Sequence, residues 1–176
     1  IAVTYVEWSG AAQHSQQVAW TLINSVSSAQ SFATAIAAST RAFSGQTAPG
    51  SAIAFSDALF SGNGFEAART VIDVSGDGIE NEGTDTATAR NAALASNTAA
   101  INGLSIGGVA IDAFYSSNVV GGPGSFLVSA PTSIDFGAAV QNKLLAEITT
   151  PEPATMSILG VGLVALGMAR RRRRAA

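Results

Sequence analysis

Two positions combine a hard oxygen donor with backbone small enough to approach a ligand. Asp77 stands in Ser75-Gly76-Asp77-Gly78, directly after the apolar run Thr70 to Val74, and Thr47 stands in the glycine-flanked stretch Gly45 to Gly50 (GQTAPG). A carboxylate and a hydroxyl suit Mg²⁺, Mn²⁺ or Ca²⁺. Two such ligands do not specify a site, because Asp-Gly is also ordinary turn chemistry and a threonine also caps loops. Other candidates are weaker. His14 is the lone histidine, in the polar stretch AAQHSQQ, and reads as an exposed loop residue. Glu80, Glu82 and Asp85 form an acidic rim beside Asp77 and read as a solvated loop. Ser75 has no histidine at a spacing that would activate it. Gly121 to Gly124 lacks the lysine and the strand-then-helix context of a phosphate loop. The residues therefore point away from an enzyme.

The elements that must hold Thr47 and Asp77 alternate between strand and helix. Ile1 to Trp8 (IAVTYVEW) is rich in β-branched and aromatic residues and stops at Ser9-Gly10. Val18, Trp20 and Leu22 continue at period two, which makes the opening an antiparallel hairpin, although Val18, Leu22 and Val26 also fit a helical face. Ser27 or Ser28 is expected to cap a helix running to about Ser39. Ala52, Phe55 and Leu59 mark a second helix, closed by Gly62-Asn63-Gly64. Thr70 to Val74 reads as a buried strand, and Thr84 or Asp85 opens an alanine-rich helix to about Asn97. Ile101 to Ile106 and Phe126 to Val128 are further strands, and Phe136, Val140 and Leu144 define an amphipathic last helix. This order predicts an α/β sandwich with parallel strands in the middle, helices on both faces and the hairpin as an antiparallel edge.

Bulk properties narrow the partners. The chain has 176 residues, of which 47% are hydrophobic and 12% charged, so one domain with a buried core is expected rather than disorder. Residues 1–150 carry four basic against eleven acidic residues, a balance of −7, and an acidic body disfavours nucleic acid. The absence of cysteine excludes disulfides, Cys-ligated zinc and thiol catalysis.

The stretches AVTYVEWSG, WTLI, TAPGSAI, RTVIDVSGDGIEN and VVGGPGSF resemble a bacterial envelope family of unknown function with a von Willebrand factor A-like domain. That resemblance implies a Rossmann-type three-layer sandwich over residues 1–148, with a mostly parallel sheet and one antiparallel edge hairpin. It also implies a Mg²⁺ or Mn²⁺ ion at a metal-ion-dependent adhesion site. The usual parts of such a site are an Asp-x-Ser-x-Ser loop after the first strand, a threonine in a Gly-Thr loop and an aspartate before a glycine. Thr47 matches the second part and Asp77 the third. The first part has no counterpart, since Asp73-Val74-Ser75 follows GQTAPGSAI and fits the later motif. The domain is accordingly expected to be truncated at its N-terminus, with the first strand and its loop upstream of Ile1, leaving the flank of Ile1 to Trp8 as an unpaired edge. The implied role is cation-dependent binding of a protein or polysaccharide. A structural surface protein with a degenerate, metal-free domain is the alternative.

Beyond residue 148 the character changes. Pro151-Glu152-Pro153 ends the last helix, Ala154 to Ala169 is uncharged, and Arg170, Arg171, Arg172, Arg173 and Arg174 follow at once. As a transmembrane helix, residues 154–169 would reach about 24 Å at ~1.5 Å per residue, short of the ~30 Å hydrocarbon core. The arginines would stay cytoplasmic and the acidic domain outside. A plain membrane anchor has this pattern too. The three features in this order are similar to the PEP-CTERM sorting signal of Gram-negative bacteria, which an exosortase-type membrane enzyme processes near the Pro-Glu-Pro motif. The resemblance implies residence in the inner membrane before processing and in the cell envelope or outside the cell afterwards.

Overall fold

In the computed structural model, residues 1–149 are described. Pro151-Glu152-Pro153, the expected transmembrane helix 154–169 and the arginine run lie outside them. Among the described residues no helix is long and apolar enough to cross a membrane. The chain divides into two compact units, Ile1–Ala139 and Val140–Ala176.

The first unit opens with the expected hairpin, β1 (Ala2–Trp8) and β2 (His14–Leu22), paired antiparallel from Ala2 opposite Leu22 to Trp8 opposite His14. The register slips around Tyr5, where Thr4 Oγ1 donates to the Val18 carbonyl at 2.6 Å. His14 is not an exposed loop residue. It begins β2 half-buried, its ring 4.5 Å from that of Phe55, because the turn Ser9–Gln13 is tight enough for pairing to start there. Helix α1 (Val26–Ala38) is capped by Ser25 rather than Ser27 or Ser28. Ser25 Oγ accepts from the Ser28 amide and Ser28 Oγ accepts back from the Ser25 amide, both at 3.1 Å, a reciprocal cap that starts the helix one turn earlier. No residue of α1 is buried.

Helix α2 (Pro49–Ala58) begins at a proline, whose missing amide costs nothing in the first turn. It buries Pro49 to Ile53. Strand β3 (Val71–Gly76), helix α3 (Thr86–Leu94) and strand β4 (Ala100–Ile106) form a crossover unit, with β3 and β4 parallel from Val71 opposite Ala100 to Gly76 opposite Ser105. Between β4 and β5 (Leu127–Ala130), also parallel, runs a short helix α4 (Val109–Phe114) that widens into a π-helical turn over Tyr115–Val119. Helix α5 (Phe136–Thr149) follows.

Strand β4 is buried along almost its whole length, as the middle strand of an order β3-β4-β5 requires. The core packs Ile53, Ile72, Val74, Ala89, Ala93, Ile101, Tyr115 and Val119. In place of one sheet with an edge hairpin, there is a three-stranded parallel sheet and a separate two-stranded one. Among the described residues no strand pairs with the second edge of β1 or of β3, so nothing carries the ladder from one sheet to the other.

Candidate functional site

The three parallel strands end on one side at Gly76, Ile106 and Ala130, the side where open α/β sheets place their ligands. Asp77 and Thr47 meet there. A Cβ added to Gly78 would fall 2.7 Å from Thr47 Oγ1 and 3.1 Å from its Cγ2, so the threonine side chain lies directly on the backbone that follows Asp77. Asn81 holds it in place. Its Oδ1 accepts from the Thr47 amide at 2.9 Å, and its own amide donates to the Thr47 carbonyl at 3.0 Å. On the other flank, the Ala48 amide donates to the Ser9 carbonyl at 2.9 Å and Ser9 Oγ to the Gln46 carbonyl at 2.7 Å. Sequence spacing put Thr47 and Asp77 thirty residues apart; the loops close that separation through backbone hydrogen bonds.

Beneath Asp77, Tyr115 comes up from the π-helical turn. It is fully buried, and its hydroxyl has no hydrogen-bond partner among the described residues. A Cβ on Gly76 would sit 2.3 Å from that hydroxyl and 3.2 Å from the Trp8 ring, so only glycine lets the three groups coexist. Burial, and secondarily the Asp77 charge, pushes the phenol above its ordinary range. An orphaned buried hydroxyl costs about 1–3 kcal/mol.

The acidic rim lies in the loop before α3 with Glu82 and Asp85 exposed, as expected, and its carboxylates also make structural hydrogen bonds. Glu80 Oε2 accepts from the Thr86 amide at 2.6 Å and from the Thr86 hydroxyl. Glu82 Oε2 accepts from the Ala11 amide at 3.2 Å, which ties the hairpin turn to the loop after β3. Asp85 caps α3 through the Thr88 amide at 2.8 Å, and these hydrogen bonds hold its carboxyl below the usual range. Among the described residues, no three His, Cys, Asp or Glu residues are grouped to hold a metal. Thr47 and Asp77 thus remain two oxygen donors of the right hardness on adjoining loops, fewer than a divalent cation fills by itself.

Nothing in the sequence singles out Tyr115, because an aromatic after an apolar segment reads as core and its orphan hydroxyl shows only in three dimensions. Asp112 was also passed over. It stands in the first turn of α4 and accepts from Ser105 Oγ at 2.5 Å and Ser129 Oγ at 2.9 Å, cross-linking the ends of β4 and β5.

Residues 1–152 match the family model described as "Protein of unknown function (DUF1194)". The chain belongs to that family. Residues 149–174 of this DUF1194 member match the PEP-CTERM protein-sorting motif, which marks it for export and for sorting by an exosortase-type enzyme, consistent with a Gram-negative bacterium. No curated protein and no solved structure matches the chain.

Proposed function

We propose that the exported domain is a non-enzymatic adhesion module of the von Willebrand factor A type, in which Thr47 and Asp77 contribute to a Mg²⁺ or Mn²⁺ site that engages a protein or a polysaccharide. The observation that carries this reading is the packing of the Thr47 side chain on Gly78, fixed from both sides by Asn81. The buried, unpartnered Tyr115 hydroxyl below Asp77 supports it, as do the free edges of β1 and β3, which are suited to a strand that would bring the remaining ligands. When bound, the cation supplies a Lewis-acidic contact for an oxygen of the partner. Thr47 Oγ1 and the Asp77 carboxylate hold it, and Asn81 and Ser9 keep the two loops in register. Calorimetric titration of Mg²⁺ and of Mn²⁺ into the exported protein, beside Asp77→Asn, tests the reading. Saturable binding that Asp77→Asn abolishes is expected; no binding by the unaltered protein removes the cation.

A second reading, a structural surface protein without a metal, is favoured by the commitment of Glu80, Glu82 and Asp85 to structural hydrogen bonds. It predicts that Asp77→Asn changes neither cation binding nor attachment to the envelope.

A further inference from the structure

Between the outward part of β1, the end of α1 and the segment leading to Thr47 lies a cleft of about 420 Å³, lined by Tyr5, Glu7, Trp8, Ile36, Arg41 and Phe43 among others. In a chain with only 7% aromatic residues and four basic residues before position 150, three rings and one arginine converge on it. Its polar groups are partly committed and partly open. Glu7 Oε1 accepts from the amides of Ala42 at 2.8 Å and Phe43 at 3.1 Å, which holds the segment against β1 and leaves Oε2 without a hydrogen bond among the described residues. Arg41 Nε donates to the Phe43 carbonyl at 2.9 Å, which aligns the guanidinium and leaves its terminal nitrogens without partners there. Burial in the cleft, with the Glu7 charge beside it, raises the Tyr5 phenol, so its hydroxyl stays protonated and can both donate and accept.

Charge narrows the ligand class. An anionic polymer would meet Glu7 and a body of −7 over residues 1–150, and a cationic ligand would have Arg41 against it in a lining where Arg41 and Glu7 offset. A neutral molecule with apolar faces and vicinal hydroxyls meets neither penalty. It sets C–H faces against the rings, accepts from the Arg41 fork and donates to Glu7 Oε2. The volume falls in the ~300–1,000 Å³ range of small-molecule sites. We infer that this cleft binds a neutral hexose segment of a polysaccharide. The inference rests on the adhesion reading and gives its ligand class, but it places the saccharide beside Arg41 rather than on a cation at Thr47 and Asp77.

Trp8 and Trp20 are the two tryptophans, so Trp20→Phe makes Trp8, in the cleft, the sole indole reporter. Oligosaccharides of dextran, laminarin and galactomannan, with alginate as the acidic arm, are titrated into the full chain in this background, with and without EDTA. A saturable change in Trp8 emission is expected with at least one neutral probe, undiminished by EDTA and absent with alginate. Arg41→Ala, at an exposed position, should weaken that binding by about tenfold, the loss of one charge-assisted hydrogen bond, without changing the circular dichroism. No response to any neutral probe, response to alginate alone, or binding unchanged in Arg41→Ala overturns the inference. Loss of saccharide binding in EDTA also overturns it, because the sugar would then sit on a cation. Failure of Mg²⁺ and Mn²⁺ to bind at Asp77 leaves the saccharide result to stand by itself.

Discussion

Gly78→Ala probes the contact on which the candidate site depends, and its sign should reverse with the residue at position 47. Gly78 has no positive φ, so alanine can adopt its backbone conformation. Reducing the freedom of the unfolded chain should by itself stabilise by about 0.4–1 kcal/mol. The new Cβ, however, falls 2.7 Å from Thr47 Oγ1 and 3.1 Å from Cγ2. The threonine cannot retreat as a unit, because its amide and carbonyl are both bonded to Asn81. Its β-branched side chain has few rotamers to offer, so overpacking of about 1–3 kcal/mol is expected. The net effect in the natural background is a loss of about 1–2 kcal/mol. In Thr47→Ala the offending atoms are gone and the remaining Cβ lies at an ordinary 3.4 Å. There, Gly78→Ala should stabilise by about 0.4–1 kcal/mol. Urea unfolding of the four proteins, followed by circular dichroism, gives the coupling, which should exceed the ~0.3–0.5 kcal/mol within which independent sites add. The same effect of Gly78→Ala in both backgrounds would refute the placement of Thr47 on the Asp77 turn.

Two further outcomes follow from the geometry and a third from the sequence of the tail. Gly50→Ala places a Cβ 2.0 Å from the Thr84 carbonyl oxygen and 3.0 Å from Thr86 Cα. Since both are backbone, no side-chain change relieves the clash, and thermal unfolding should show a loss of about 3 kcal/mol, the upper end of overpacking. The Tyr115 phenol is raised above its ordinary 10.0, so at alkaline pH the folded protein holds a proton that the unfolded chain releases. Its contribution is full below pH 10 and falls as the pH rises above it. Tyr115→Phe should flatten that alkaline decline in denaturation midpoints and leave neutral stability equal or better, since it deletes an unpartnered hydroxyl. In the tail, Glu152→Ala or deletion of Arg170–Arg174 should leave an unprocessed chain in the membrane, read as intact mass. An identical mature mass in both variants favours a plain anchor.

The order of elements was legible because each carries a local signal. Period-two apolar residues mark the hairpin, Ala52 and Phe55 mark α2, Asp85 caps α3, and Phe136 and Val140 mark α5. Thr47 and Asp77 stand out in the sequence because each is an oxygen donor in a glycine-flanked loop. Misreadings came where a long-range contact decides. His14 looked like a polar link until Phe55 gave it an apolar neighbour. Helix α4 and its π-helical turn, Val109–Val119, begin after Gly107-Gly108 with mixed small and apolar residues that favour no period, and only packing against α3 and β4 fixes them. Glu80 and Glu82 stand in the expected loop, but their bonds to the Thr86 and Ala11 amides were not legible, because backbone partners leave no trace in side-chain spacing.

The separation of the two sheets bears on how the site is held. In a continuous sheet, a ladder of hydrogen bonds along β1 and β3 would fix the loops at their ends. Among the described residues no strand-to-strand bonds join them, and the hairpin is registered against β3 through loop contacts: Ser9 to Gln46 and Ala48, Ala11 to Glu82, and Thr47 to Asn81. Each is worth about 0.5–1.5 kcal/mol, enough to position a loop yet small beside the burial that holds β4. Such loops sit at the low-stability end of a fold, where ordering by a ligand is cheapest to accomplish. Among the described residues the free edges of β1 and β3 and the orphan Tyr115 hydroxyl carry unsatisfied hydrogen-bonding capacity, which the proposed adhesion role would assign to a partner supplying a strand or an oxygen.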